Sequence, residues 1–116
     1  MKVVDTKDHT WFLFEHEGDL YLDTNCTNSA IGYSYMIRLN EAERELYRMG
    51  AREYLSKLAS EVEYSVPILA DSTSIYKSRR VSYEISNLTL DAVRVWRETS
   101  HIQKDREDIA DGGAAI

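Results

Sequence analysis

Apolar and polar residues alternate along the first forty positions in the way that strands require. Residues 10–16 crowd aromatic and branched side chains and predict a strand, and residues 20–23 continue as a second one. Between them, Gly18 offers the positive φ of a tight turn, so the two segments predict a hairpin. The third segment has apolar residues at every second position: Ile31, Tyr33, Tyr35, Ile37 and Leu39. This period of two predicts a third strand with one buried face.

A helical pattern follows the third strand. Asn40 and Glu43 have the spacing of a capping box, in which each side chain bonds to the backbone N–H of the other residue. The apolar residues that come next recur at helical spacing: Ala42, Leu46, Met49, Leu55, Leu58, Ala59 and Val62. They predict one helix from Asn40 to about Val62 that buries this stripe. Gly50 weakens the helix by roughly 1 kcal/mol relative to alanine, so we expect a neighbour to pack closely there.

The second half of the chain is less regular. Residues 63–80 give no clear pattern. Val81, Tyr83 and Ile85 alternate with polar residues and predict a fourth strand. Residues 90–103 carry an amphipathic stripe and predict a second helix.

The predicted element order is therefore β-β-β-α-β-α. It indicates an α+β domain over residues 1–103, with an antiparallel sheet of about four strands and two helices on one face. Residues 104–116 begin with charged residues and end with small ones, and we expect them to form a flexible tail. Residues 11–14 are apolar on both sides of their strand, which a sheet covered on one face does not need. Either that strand is central with both faces covered, or its second face meets another chain, as in a homodimer.

Charge narrows the choice of partners. The 116 residues carry 20 acidic and 14 basic side chains, for a net charge of −6. That sign opposes binding to nucleic acid or to an anionic membrane and favours a basic protein or a cationic ligand, although an acidic surface also simply keeps a protein dispersed. The sequence contains no stretch of roughly 18 apolar residues, so it predicts no membrane span. The first residues lack a secretory apolar run, so we expect a cytoplasmic protein.

The side chains that could carry chemistry form no recognisable site in the sequence. Cys26 is the only cysteine, and none of the three histidines stands in a motif that would activate it. Its neighbours bond readily to their own backbone, so we interpret residues 22–33 as a wide turn between strands. The histidines lack paired metal-ligand spacing, and no glycine-rich loop precedes a helix. We therefore expect no enzyme activity, no metal and no cofactor.

Acidic and tyrosine side chains are the best candidates for a binding surface. The eight tyrosines are spread through the predicted elements, and tyrosine combines a large apolar body with a polar tip, which suits interfaces. Carboxylates in the first turn of a helix also complement its dipole, which is the simpler explanation of the glutamates there. The predicted partner-binding residues are Asp19, Asp23, Glu41, Glu45, Tyr21 and Tyr47.

Two stretches, WFLFEHEGDLYLDTNC and GYSYMIRLNEAERELYRMGAREYLSKLA, make up much of this small acidic sequence. In these respects the whole chain resembles the small acidic immunity proteins found beside bacterial secreted toxins. The resemblance implies a non-enzymatic protein that inhibits one basic toxin, usually a nuclease or another enzyme, by steric and electrostatic blockade. It carries over no binding residues, because such interfaces differ from pair to pair.

The alternative is a protein of a different class, namely a small-molecule-binding or enzymatic domain. Its support is an aromatic-lined pocket under the sheet. The residues expected to converge on that pocket are Tyr33, Tyr35, Trp11 and Trp96.

Overall fold

The chain folds as an antiparallel sheet followed by helices. The computed structural model describes residues 1–26, 33–50 and 52–99. The elements bounded at both ends are strands β1 (Lys2–Lys7), β2 (Trp11–His16), β3 (Asp19–Cys26) and β4 (Tyr33–Arg38), helices α1 (Glu41–Arg48), α2 (Arg52–Ser65) and α3 (Tyr83–Asn87), and a 3-10 turn at Lys77–Arg79. Residues 89–99 are also helical up to the limit of the described part, and we name them the C-terminal helical segment. The predicted tail 104–116 lies outside the described residues.

The predicted α+β class and four-stranded antiparallel sheet are confirmed, with the strands in the order β1-β2-β3-β4. The fourth strand differs from the prediction because it comes from the N-terminus, where β1 pairs with β2. Residues 81–85, which alternate as a strand would, lead instead into α3. The side chain of Ser82 caps this helix by accepting a hydrogen bond from the backbone N–H of Ile85 at 3.4 Å. Three helices, not two, have both ends within the described residues.

The hairpin between β2 and β3 follows the prediction. His16 pairs with Asp19, which leaves a loop of two residues, Glu17 and Gly18. Both have a positive φ, 50° and 85° respectively. This is the backbone of the mirror-image turns whose twist matches that of two adjacent strands. Gly18 adopts it without the steric cost that a Cβ would impose.

The helix predicted from Asn40 to Val62 is two helices, because the chain turns at Gly50. The capping box at its start is confirmed: the Asn40 side chain accepts from the Glu43 N–H at 2.8 Å, and the Glu43 side chain accepts from the Asn40 N–H at 2.9 Å. Gly50 has a φ of +92°, the left-handed conformation that ends many helices. A Cβ built there would meet nothing within 4 Å. Glycine is therefore needed for its backbone angle, and the close neighbour that we expected is absent among the described residues.

Helices cover both faces of the sheet, where the sequence predicted one covered face. The face toward α2, which we name the α2 face, buries Trp11, Leu13, Leu22, Cys26, Tyr35, Ile37, Leu39, Leu55, Leu58, Ala59, Val62 and Tyr76. The opposite face, which we name the C-terminal face, buries Phe14, Tyr21, Met36 and Ala92, with Phe12, Ile85 and Val93 packed against them. Strand β2 is thus a central strand with both faces covered. This explains why residues 11–14 are apolar on both sides, and it gives those side chains partners within the chain.

Candidate functional site

The six residues predicted to bind a partner do not form one surface. Glu41 and Glu45 are exposed on α1, and Tyr47 packs against the core of the α2 face. Tyr21 is only 6% exposed and belongs to the core of the C-terminal face. Asp23 lies two residues further along β3, so its side chain points to that same C-terminal face.

The carboxylates near α1 are interleaved with arginines. Asp19 lies 3.9 Å from a guanidinium nitrogen of Arg38 and 3.9 Å from one of Arg44. Glu45 lies 3.8 Å from Arg48 on the next turn of the helix. The surface around α1 is therefore less negative than the net charge of the chain indicates.

The apolar residues predicted to be buried on α1 are exposed, because the buried side of this helix is displaced by one residue along the sequence. Leu46 and Met49 are 43% and 76% exposed, and Ala42 is exposed as well. Glu43 and Tyr47 turn inward instead, and each has a polar partner there. The Tyr47 hydroxyl donates to Asp5 Oδ2 at 3.1 Å, while Glu43 accepts two hydrogen bonds from a guanidinium. Polar contacts with distant residues therefore decide which side of α1 faces the sheet.

Cys26 is the last residue of β3 and is fully buried, so it does not lie in the wide turn that we interpreted from the sequence. Its thiol donates to the Thr24 carbonyl at a sulfur–oxygen distance of 3.8 Å. Burial raises the pKa of Cys26, and a hydrogen bond with the Tyr33 side chain opposes this only in part. A cysteine nucleophile needs solvent access and a lowered pKa. Cys26 has neither, and the rest of the predicted turn, residues 27–32, lies outside the described residues.

Of the four residues expected to converge on an aromatic pocket, Trp11, Tyr33 and Tyr35 share the α2 face and Trp96 does not. Trp11 and Tyr35 are buried in the core of the α2 face. Trp96 lies across the sheet from them and packs edge-on against Phe12, with ring centroids 5.4 Å apart. Strand alternation separates these residues, because Phe12 and Trp11 are chain neighbours and must point to opposite faces.

Residues 1–26, 33–50 and 52–99 contain neither a metal-binding cluster nor a membrane-spanning helix. Nowhere in this part do three or more His, Cys, Asp or Glu side chains come together as a metal ion would need. None of its helices combines the length and apolar character of a membrane span.

The loop after α2, residues 66–76, is the feature that the sequence did not predict. It begins at Val66, whose φ is +46°. A β-branched residue in this conformation is a genuine outlier that costs of order 1–3 kcal/mol, and such outliers cluster at functional sites. Pro67, which is buried, follows directly.

Serine side chains hold this loop in one shape. The Ser65 and Ser74 hydroxyl oxygens lie 2.6 Å apart, which joins the end of α2 to the far end of the loop. The Ser74 N–H donates to the Ser72 hydroxyl at 3.1 Å, and the Tyr76 N–H donates to the Ser74 hydroxyl at 3.2 Å. The backbone N–H of Ser72 donates to the Leu69 carbonyl at 3.1 Å. The loop is therefore ordered although it contains no helix or strand.

The last turn of α2 and this ordered loop present apolar side chains to solvent. Tyr64 and Ile75 are 85% and 75% exposed, and each is the chain neighbour of a serine in the hydrogen-bonded pair Ser65–Ser74. Four exposed apolar residues, which we name the loop surface, are involved: Tyr64, Ile68, Leu69 and Ile75. Exposed apolar side chains on a fixed backbone make this region a candidate interaction site.

All charged side chains within residues 58–76 are acidic, and a cation reaches this segment from outside it. From Leu58 to Tyr76 the chain contains the carboxylates Glu61, Glu63 and Asp71 and no Lys, Arg or His. Lys77 follows directly, and its ammonium group donates to the Leu69 carbonyl.

Buried polar contacts anchor the end of the loop to the sheet and to α1. Tyr76 is 6% exposed, and its hydroxyl donates to Glu61 Oε2 at 2.8 Å. Burial, followed by this hydrogen bond, raises the pKa of Tyr76 to about 12. The Tyr35 hydroxyl donates to the Tyr76 carbonyl at 3.1 Å. Arg79 donates to both carboxylate oxygens of Glu43, one at 2.9 Å, and to the Arg38 carbonyl at 2.8 Å.

A cleft on the C-terminal face is a second candidate site. It has a volume of about 590 Å³, and its lining includes Phe12, Asp23, Leu90, Val93 and Arg97. Burial raises the pKa of Asp23 from 3.8 to about 6. Neither the loop surface nor this cleft follows from a motif. The signal available for the first was the absence of basic residues between Leu58 and Tyr76, and Asp23 was predicted only as a partner-binding residue.

No protein-family model, curated protein or solved structure matches this chain.

Proposed function

We propose that this protein is a non-enzymatic protein-binding module that masks a basic partner, as an immunity-type inhibitor masks its toxin. In this proposal the loop surface, formed by Tyr64, Ile68, Leu69 and Ile75, is the centre of the contact. The partner presents an apolar patch surrounded by lysine and arginine side chains. A cytoplasmic location is part of the same proposal.

The observation that carries the proposal is the exposure of these apolar side chains at the end of α2 and on a loop that hydrogen bonds hold in place. Binding costs conformational entropy for each side chain or loop that becomes ordered in the complex. A loop that is already ordered by Ser65, Ser72 and Ser74 avoids part of that cost. Tyrosine at such a position is a common anchor of protein interfaces.

The charge of the same segment determines the chemistry of the partner. The segment from Leu58 to Tyr76 contains three carboxylates and no basic residue, and the ammonium group of Lys77 reaches it at the Leu69 carbonyl. Complementary charge accelerates association and excludes partners of like charge. It also makes binding sensitive to salt, because exposed charges are screened within about 10 Å at 0.1 M ionic strength. Around α1, Asp19 lies 3.9 Å from Arg44 and Glu45 lies 3.8 Å from Arg48.

The experiment is affinity capture with the purified chain, followed by mass spectrometry and measurement of the dissociation constant for the captured protein. Two variants alter the loop surface, Ile75→Ser and Asp71→Lys. Two matched variants alter exposed residues of α1 in the same way, Leu46→Ser and Glu41→Lys. All four positions are exposed, so each variant should keep the fold, which circular dichroism checks.

We expect one basic protein to be captured, with binding that weakens at higher salt. Each loop variant should weaken binding by about tenfold or more, as changes at interface centres do, while each α1 variant should change it by less than about threefold. Loss of binding only in the α1 variants would place the binding site near Glu41 and Glu45 and would refute binding through the loop surface. Capture of no basic protein, or binding insensitive to salt and to all four variants, would refute masking itself.

A further inference from the structure

The cleft on the C-terminal face has the dimensions of a ligand site. Its volume of about 590 Å³ lies within the range of about 300–1,000 Å³ that is typical of small-molecule pockets. A second cavity of about 550 Å³ adjoins it, and both share Asp23, Ser34 and Thr89 in their linings. The two cavities therefore form one groove beside the C-terminal helical segment, and Asp23 lies where they meet.

Asp23 occupies an unusual place for a carboxylate. It is in β3, between its register partners Phe12 on β2 and Met36 on β4. All three side chains point to the C-terminal face, and the other two are apolar. No described residue forms a hydrogen bond or an ion pair with the Asp23 carboxylate. A largely buried charge without a partner lowers the stability of the fold, and natural proteins retain such charges mainly at functional sites.

The helical side of the cleft carries two arginines and the carboxylate of Glu98. Arg94 and Arg97 line it, and Arg94 is already paired with Asp91 at 3.0 Å and with Glu98 at 3.4 Å. Arg97 is exposed and has no ion-pair partner among the described residues. Phe12, Leu90 and Val93 supply apolar surface to the same lining. A molecule that carries both an ammonium and a carboxylate group can pair with Asp23 through the first and with Arg97 through the second.

We infer that this cleft binds a small zwitterion with an apolar body, the chemistry of an amino acid or a very short peptide. The ligand's ammonium group pairs with Asp23, its carboxylate pairs with Arg97, and its apolar part lies against Phe12, Leu90 and Val93. This site is separate from the loop surface and does not depend on the protein-binding function proposed above.

The test uses three probes that share a phenyl body and differ only in charge. L-Phenylalanine carries both charged groups, phenethylamine lacks the carboxylate, and 3-phenylpropionate lacks the ammonium group. Each is titrated into the ¹⁵N-labelled protein while amide chemical shifts are followed. The variants are Asp23→Asn and Arg97→Gln. Asp19→Asn is the matched control, because it removes a carboxylate from the same strand outside the cleft.

We expect phenylalanine to give saturable shifts at Asn25, Ser34 and Val93 and to bind more tightly than either other probe. Asp23→Asn and Arg97→Gln should each weaken its binding by about tenfold or more, as loss of a charge-assisted hydrogen bond does, and Asp19→Asn should leave it unchanged. Absence of saturable shifts with phenylalanine would overturn the inference. So would equal binding by the Asp23→Asn variant, or tighter binding of either single-charge probe.

Discussion

The ion pair between Glu43 and Arg79 joins α1 to the segment that follows the loop, and its removal tests whether polar contacts hold this part of the fold. The perturbation is Glu43→Gln, which removes the charge and keeps the shape of the side chain. Glu43 accepts from Arg79 through both carboxylate oxygens and also caps α1 through the Asn40 N–H. Arg79→Met removes the other partner and retains much of the packing.

The magnitude follows from burial. The Glu43 side chain is 9% exposed and that of Arg79 is 25% exposed. Fully exposed ion pairs contribute about 0–1 kcal/mol, whereas removal of one partner from a buried pair costs about 3–5 kcal/mol. This pair lies between those limits, so each single variant should lower the free energy of unfolding by about 2 kcal/mol. The double variant should lose less than the sum, with a coupling energy of about 1–2 kcal/mol.

Urea unfolding followed by tryptophan fluorescence measures these free energies, because both tryptophans pack against the sheet. The matched control is Glu98→Gln, which breaks the exposed pair with Arg94, where both side chains are more than 60% exposed. It should change stability by less than about 0.5 kcal/mol. Additivity of the Glu43 and Arg79 variants within about 0.5 kcal/mol would refute the reasoning, since independent sites behave that way.

Three further predictions concern single residues. Because the pKa of Asp23 is about 6 in the fold and 3.8 when unfolded, its contribution to stability is present below 3.8 and is lost as pH rises through about 6. Above about pH 6, the free energy of unfolding of Asp23→Asn, relative to that of the native chain, should therefore be about 3 kcal/mol higher than it is below pH 3.8. A difference between the two proteins that stays constant with pH would contradict this prediction. Gly50→Ala places a Cβ at a φ of +92° and should cost about 1–2 kcal/mol in urea unfolding, whereas no loss would mean that the turn readjusts. Cys26 should resist thiol reagents in the native protein and react at the rate of unfolding, and rapid labelling of the folded protein would show that it is accessible.

Sequence reasoning succeeded where the signal was local. The hairpin needed only alternating residues around Gly18, and the capping box needed only Asn40 and Glu43 three residues apart. Strand β1 was missed because its pairing with β2 is irregular between Val3 and Asp5, so the period of two is broken within six residues. A bulge of this kind leaves no signature in a short edge strand.

Helix α3 shows why short patterns are ambiguous. Val81, Tyr83 and Ile85 fit a strand, but Val81 and Ile85 are also four residues apart, which is a helical spacing. In the fold Val81 and Ile85 pack against the core of the C-terminal face, and Tyr83 is 78% exposed. A strand would have placed all three on one side. The choice depended on contacts with the sheet, which no five-residue window contains.

The orientation of α1 and the two candidate sites depend on partners that are distant in sequence. Glu43 turns inward because Arg79 lies 36 residues further along the chain, and this leaves Leu46 and Met49 in solvent. Asp23 becomes notable only when strand pairing places it between Phe12 and Met36. Composition predicted an acidic chain with interface-prone tyrosines. The positions where charge and apolar surface meet could come only from the tertiary fold.

The loop surface and the cleft belong to opposite faces of the sheet, so occupants of the two sites need not compete. One short segment nevertheless connects them at the edge of β4. Tyr76 anchors the loop on the α2 face, Arg80 bridges to Ile37 on β4, and the Val81 N–H donates to the Met36 carbonyl at 3.1 Å. Arg80 also lines the second cavity beside Asp23. Because Arg79 ties this segment to Glu43, the coupling energy of that pair measures how firmly the connection is held. The two sites are coupled only if a ligand in the cleft binds two states of this segment with different affinity, so an unchanged dissociation constant of the partner with the cleft occupied would show that they are independent.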